Sequence, residues 1–316
     1  MDGDESKAPP SVGTVTAAKA IATTQRSRAR RRLRELRPLL WFVPVLVLLL
    51  TVTLYPTVFV VWMSFQKTRY YDLAGFVGFA NYVDTLSSRA FWETTYTSLA
   101  YMAGSLVLSL GLGVLAALVL NNLKRGGAVL RVLTLFPWTL SMAVVGTMWL
   151  WLFNPSYGPI SYYLRKVGVA PGLMLGDPEL ALWLTVLVTS WWSFPYAMVI
   201  ITAAIQSIPT ELYEAVSIDG GSWRAKFRYV TFPHLVPTLG STALTLGIVY
   251  LTLITLLIVL TGGGPIGATT TLSFEVFRGT VQAVNIGPIA VYSIAILLAN
   301  VGLGVLYMRL TGRVTG

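Results

Sequence analysis

Six long apolar runs dominate this chain, and they leave few folds open to it. They lie at about 39–65, 95–120, 129–152, 180–205, 238–260 and 287–308. Each compares with the roughly 20 apolar residues that carry a helix across a bilayer's hydrocarbon core. Within hydrocarbon a backbone must satisfy its own N–H and C=O groups, so runs of this length predict transmembrane helices. Composition agrees: 11% of the residues are charged, against about 25% in an ordinary soluble domain. The expected fold class is all-α, a polytopic membrane protein with six transmembrane helices. Pro137 and Pro195 fall inside the third and fourth runs and predict kinks there.

An even number of spans places both termini on one side of the membrane. The N-terminal stretch 1–38 is rich in Ala, Ser, Thr, Pro and Arg and reads as a disordered basic tail. Arg26, Arg28, Arg30, Arg31, Arg32, Arg34 and Arg37 crowd just ahead of the first span. With Lys7 and Lys19 of the same tail, the connection at 121–128, the start of the third span, the insert at 206–237 and the C-terminus from Arg309 through the short tail 311–316, they gather 17 of the 23 Lys and Arg residues. By the positive-inside bias that side is the cytoplasm, so both termini are expected there, in a cell membrane. The net charge of +10 is read in the same way, as topology and contact with the lipid bilayer, with no nucleic acid implied. About 38 polar and basic residues before the first run also argue against a secretory signal peptide. The longer connections, 66–94, 153–179 and 261–286, fall on the outer side and hold most of the turn chemistry, with no soluble domain among them.

One polar insert has a helical pattern of its own, Pro209 to Pro237. Pro209 suits the start of a helix, and Glu211 and Glu214 suit its positive end. Leu212, Ala215 and Val216 share a face, and Gly220-Gly221 supplies a left-handed stop. Ser222 is placed to cap a second helix. Its Trp223, Phe227 and Val230 form an apolar stripe opposite Arg224, Lys226 and Arg228, and Pro233 ends it.

The chemistry that is missing narrows the function. The acidic residues lie outside the six runs, so ion-coupled transport lacks the intramembrane carboxylates on which it usually depends. No lysine follows a glycine, which excludes a P-loop. With no cysteine there is no thiol chemistry, and a single histidine, His234, cannot form a His-rich metal site and leaves little from which to build a nucleophile–base–acid set, so no enzyme is expected and no catalytic or metal residue is named. Uphill movement of a solute would draw its energy from another subunit.

The insert resembles the EAA loop of the membrane subunits of binding-protein-dependent ABC importers, whose pattern is EAA-x3-G-x9-I-x-L-P. Here Glu214-Ala215-Val216, Gly220 and Val230-Thr231-Phe232-Pro233 stand in register, with apolar replacements at Val216, Val230 and Phe232. Further likeness runs from about residue 39 to 310. It includes Tyr55-Pro56, Phe76-Val77-Gly78-Phe79-Ala80-Asn81-Tyr82, Trp151-Leu152-Phe153-Asn154-Pro155, Gln206-Ser207-Ile208-Pro209 and Thr261-Gly262-Gly263-Gly264-Pro265. Together these are similar to the six-span carbohydrate permeases of the maltose and glycerol-phosphate type, with the type I importer permease fold. The resemblance implies a permease domain at 39–310 that passes a sugar or oligosaccharide. It implies a second permease subunit, two cytoplasmic ATP-binding subunits that hold ATP and Mg, and an extracytoplasmic solute-binding protein; no cofactor is expected in this chain. It assigns ATPase coupling to Glu214, Ala215, Val216, Asp219, Gly220 and Pro233.

The solute pathway in such permeases is lined by spans three to six. Aromatic faces and hydroxyls suit a sugar, which points to Trp191, Trp192, Tyr196, Tyr250, Thr252 and Thr255, with Trp138 and Trp149 also in reach. Trp138, Trp151 and Trp183 read better as interfacial belt residues. Asn121, Asn122 and Asn300 read as structural residues near span edges. Sugar permeases of this type often carry a basic residue and an Asp where this chain has Thr252 and Thr255, which leaves the substrate open. The alternatives are a stand-alone secondary carrier, or an ABC permease for another polar solute such as glycerol phosphate.

Overall fold

The computed structural model describes residues 41–69, 72–123, 127–168, 172, 174–282 and 285–312. The basic tail 1–38, the first two residues of the first run and the C-terminal residues 313–316 lie outside the described residues. Two compact units are present, Met1–Phe59 and Val60–Gly316. In the first, helix α1 (Val43–Met63) begins, with a wide π-helical segment at Leu49–Leu54. Its hydroxyls bond within the helix, Thr51 Oγ1 to Val47 O at 2.7 Å and Thr57 Oγ1 to Thr53 O at 2.7 Å. That is what a lipid-facing helix requires of its polar groups.

The second unit opens on a small antiparallel hairpin, β1 (Gln66–Arg69) and β2 (Asp72–Phe76), an exception to the all-α expectation. Thr68 fastens it: its hydroxyl lies 3.1 Å from Asn285 Oδ1 and accepts from Ile286 N at 2.6 Å. After α2 (Ala80–Ser87) comes α3 (Arg89–Asn122), 34 residues whose first turn is capped by Ser88. The length, about 50 Å at 1.5 Å per residue, exceeds the hydrocarbon core and carries polar ends into both interfaces.

α3 packs along α7 (Pro178–Gln206), capped by Asp177, and both pack on α9 (Trp223–Thr252). Small residues and hydroxyls set this seam. A Cβ at Gly113 would lie 2.7 Å from Ala197 Cβ, so the two backbones meet where neither has a bulky side chain. Tyr101 OH and Thr189 Oγ1 are 2.8 Å apart, and Ser190 Oγ reaches Ser105 O at 3.3 Å. Tyr250 OH bonds Ser193 Oγ at 2.5 Å and Ser109 Oγ at 3.0 Å, tying all three helices at one point. Met198, Ile201, Leu235 and Leu246 fill the space around it, fully buried.

Two runs differ from their sequence reading. The third is a broken pair, α4 (Gly127–Thr139) and α5 (Met142–Leu152), bent by 96°. The break falls at Leu140-Ser141, not at Pro137, because Ser141 takes an extended conformation and caps α5 through Val144 N at 3.4 Å. Pro195 leaves α7 unbroken. The fifth run is longer and earlier than 238–260. α9 starts at Trp223, passes Pro233 and Pro237, and stops at Thr252, before a separate helix α10 (Thr255–Leu260). Pro233 therefore does not end a helix. A π-helical turn at Phe227–Thr231 precedes it, shifting the hydrogen-bond register where the missing N–H would otherwise break the ladder. The chain continues through α6 (Pro159–Lys166) between α5 and α7, and through α11 (Leu272–Gln282) and α12 (Ile286–Gly312) after α10. Asn300 lies midway along α12 rather than near an edge, with its buried Oδ1 lacking a partner among the described residues.

Close approach at Gly113 has a direct test. Gly113→Leu is expected to destabilise the solubilised protein by about 1–3 kcal/mol through overpacking. Gly111→Leu, where a Cβ meets nothing within 4 Å, should leave the thermal midpoint near its original value.

Candidate functional site

α7 ends at Gln206, and buried Ile208 turns the chain into Pro209, which stands at the N-cap of α8 (Thr210–Ile218). Nothing in α8 is buried. Leu212, Ala215 and Ile218 are exposed, Ile218 at 86%, and Val216 is half-buried. Glu214 and Asp219 are also exposed, and neither forms an ion pair among the described residues. α8 is thus a short helix that shows apolar and acidic groups together and keeps few of them for its own chain.

Its C-terminal end is closely determined. Gly220 has φ 71°, its N–H donates to Ser217 O at 3.1 Å, and Gly221 N–H donates to Val216 O at 2.8 Å. This is a Schellman closure, which needs the left-handed residue at Gly220. The two glycines do different work. A Cβ at Gly220 would meet nothing, whereas one at Gly221 would lie 2.4 Å from Val216 Cγ1 and 2.6 Å from Val216 O. The stop expected of the Gly-Gly doublet thus divides between its members, the left-handed turn at Gly220 and the close approach at Gly221.

α9 returns from the elbow. Ser222 stands at its N-cap with no side-chain bond, so the capping expected of its hydroxyl is not made. Trp223 and Phe227 stack at 5.9 Å, and Val230 is buried, in keeping with the expected stripe. Tyr213 OH meets Thr231 Oγ1 at 3.1 Å and so fastens α8 to α9. His234 Nδ1 lies 2.7 Å from Val230 O, so the only histidine serves a backbone carbonyl beside the π turn. Between α8, α9 and the ends of α3 and α7 lies a cavity of about 540 Å³, with Asn121, Gln206, Tyr213, Lys226 and Phe227 on its walls. Pro233 sits beyond this elbow, inside α9.

The candidate pathway residues divide into four groups. Trp192 and Tyr196 gather with Trp138: the Trp138 ring is 4.2 Å from Trp192 and stacks on Tyr196 at 5.1 Å. Trp192 Nε1 also donates to Leu140 O at 3.2 Å, pinning the α4–α5 break. Trp138, read from the sequence as a belt residue, thus packs in an aromatic cluster with Trp192 and Tyr196; its spacing from the break could not be read before the bend was known. Trp191 turns to the other side, edge-on to Trp149 at 5.5 Å. Tyr250 is 1% exposed with its hydroxyl doubly bonded, which makes it a packing residue of the helix seam. Thr252 and Thr255 are exposed and flank the break between α9 and α10.

Comparison with known proteins identifies the architecture. Residues 109–316 match the family described as binding-protein-dependent transport system inner membrane component. The chain belongs to that family. It is 34% identical over 240 residues to the trehalose/maltose transport system permease protein MalF of Thermococcus litoralis, covering 76% of this chain and 81% of the relative. It is 30% identical over 278 residues to the sn-glycerol-3-phosphate transport system permease protein UgpA of Agrobacterium fabrum, covering 87% and 94%. In fold it matches a chain of a bacterial alginate ABC transporter solved with an alginate pentasaccharide-bound periplasmic protein, with TM-score 0.78 at 20% identity, over 90% of this chain and 97% of that one. The polytopic helical fold read from the apolar runs is thus that of an ABC importer permease. As a family member the chain is a membrane transport component.

The two glycines of the elbow predict different outcomes. Gly220→Ala should cost about 1 kcal/mol for the left-handed residue and leave the closure formed. Gly221→Ala should open it, and amide exchange at residues 214–222 should accelerate markedly in that variant alone.

Proposed function

We propose that this chain is a membrane permease subunit of an ABC importer for a neutral sugar or oligosaccharide, energised by partner ATPases through the α8 elbow. The observation that carries the reading is α8 itself: an exposed amphipathic helix whose acids form no ion pair among the described residues, closed by a left-handed glycine turn and held between two long helices. A helix of this kind fits a groove on a partner. Glu214, Ala215, Val216 and Asp219 would form the docking surface, Gly220 the elbow, and the Pro233 region of α9 the lever into the membrane. The family's description supports the importer reading, since it records dependence on a binding protein.

The complete importer would contain this chain, a second permease, two ATP-binding subunits carrying ATP and Mg, and an extracytoplasmic solute-binding protein. A periplasmic protein is bound by the alginate transporter of similar fold. Both termini and the α8 elbow would face the cytoplasm, as the concentration of Lys and Arg argues. The permease domain would occupy 39–310, between the basic tail and residues 311–316.

Relatives are named for trehalose and maltose and for glycerol phosphate. The aromatic cluster of Trp138, Trp192 and Tyr196 favours the sugar. Its faces are flat and uncharged, suited to stacking on a pyranose, whereas a phosphate would call for a fixed cation. Solute would pass beside this cluster, with Trp191, Thr252 and Thr255 along the route. ATP-driven approach of the ATPases would move α8, and α7 and α9 would carry the motion inward.

Charge reversal at Glu214, or Gly220→Asp, is expected to abolish solute uptake by vesicles holding the assembled complex while membrane levels of the protein stay normal. ATP-driven uptake at the original rate would remove the docking role. Trp192→Ala should lower uptake at saturating binding protein by about tenfold, as loss of one stacking anchor does, without changing recovery of the complex.

A further inference from the structure

Among the described residues, one residue other than glycine has a positive φ: Ile266, at 50°. It is also 99% exposed. Each fact is unfavourable alone. A β-branched side chain in the left-handed region is a conformational outlier, and an exposed isoleucine gains nothing from burial. Such a residue persists only where its surroundings dictate it.

The surroundings do dictate it. Thr269 Oγ1 donates to Gly264 O at 2.8 Å and meets Thr261 Oγ1 at 2.7 Å. Thr270 Oγ1 donates to Gly263 O at 3.0 Å. Backbone bonds from Ala268 N to Pro265 O and from Thr270 N to Gly267 O, both 2.9 Å, close the turn around Ile266. Gly263 lies against the Phe274 ring so closely that a Cβ there would fall 2.4 Å from it. Thr269, Thr270 and Thr271 are buried. A rigid base therefore presents a single aliphatic side chain.

Its place in the fold restricts what it can meet. Leu272 N donates to Ser98 Oγ at 2.7 Å, near the Arg89 end of α3. The opposite end of α3, at Asn121 and Asn122, borders the cavity behind α8. About 36 Å of helix separates Ser98 from Asn122, so Ile266 belongs to the end of the bundle remote from the coupling elbow. No aromatic or basic residue accompanies it between Thr261 and Thr271, so the turn lacks the chemistry of a bilayer-interface anchor.

We propose that Ile266 is the apolar anchor on which the extracytoplasmic solute-binding protein seats, entering an aliphatic pocket of that protein. A turn already held in its bound shape loses little freedom on docking, which is where an exposed, strained residue repays its presence. This assignment rests on the importer reading above, and it adds the contact residue and the chemistry of the contact.

The test uses the assembled complex in lipid nanodiscs. Ile266→Gly and Ile266→Asn both accept the left-handed backbone, so the thermal midpoint should not fall, while the binding-protein concentration giving half-maximal ATPase stimulation should rise about tenfold. Because the chain has no cysteine, Ile266→Cys supplies a single thiol in it. Labelled with a photoactivatable maleimide, that thiol should cross-link to the binding protein. Unchanged half-maximal stimulation in both variants, or cross-links only to the second permease or to lipid, overturns the anchor and leaves the importer reading standing. A complex with native Ile266 that no solute-binding protein stimulates overturns both.

Discussion

Apolar helices gain little by meeting one another in a solvent as apolar as they are, so their association depends on close backbone approach and on hydrogen bonds that hydrocarbon cannot replace. In this chain both are concentrated where α3, α7 and α9 meet. Gly113 admits Ala197 and Met198, and Tyr101, Ser109, Thr189, Ser193 and Tyr250 share their hydroxyls across the three helices. The rest of the second unit is placed by this seam. α7 and α9 leave it on either side of the α8 elbow, and the break at Leu140-Ser141 is held against α7 through Trp192.

The prolines illustrate how hydrocarbon changes a familiar rule. Pro195 sits inside a continuous helix, while Pro233 follows a π-helical turn and Pro237 lies inside the next segment. Beside this turn His234 Nδ1 reaches the Val230 carbonyl at 2.7 Å. The helix that was expected to stop at Pro233 instead runs from the elbow to Thr252 as one body. In the proposed importer that continuity matters, because a displacement of the elbow reaches the membrane interior without a flexible joint. Breaks fall instead at 140–141 and at 253–254, the second between the exposed Thr252 and Thr255.

Much of this was legible in the chain itself. Runs of apolar residues announce helices because hydrocarbon permits little else, and the polar insert announces an exposed element because it interrupts them. The register of Glu214, Gly220 and Pro233 marked the elbow, and the family match over 109–316 agrees with the permease reading. The aromatic cluster was legible only in part. Trp192 and Tyr196 stand one turn apart on α7, but Trp138 joins them only because α4 ends where it does. Tyr250 was misjudged for the complementary reason: a tyrosine in a span has the same sequence signature whether it faces a pathway or a neighbouring helix.

The sequence by itself determined the class of fold, the number of apolar runs and the position of the exposed α8 element, since each follows from local hydropathy, charge or glycine chemistry. Tertiary structure decided which hydroxyls are consumed in packing, where the third and fifth runs break, and that Ile266 stands strained and exposed on a turn bolted by threonines. Those features depend on contacts between segments far apart in the chain, such as Tyr250 with Ser109 and Leu272 with Ser98. No local pattern records them, because a hydroxyl or a glycine acquires its role only from the neighbour that packing brings to it.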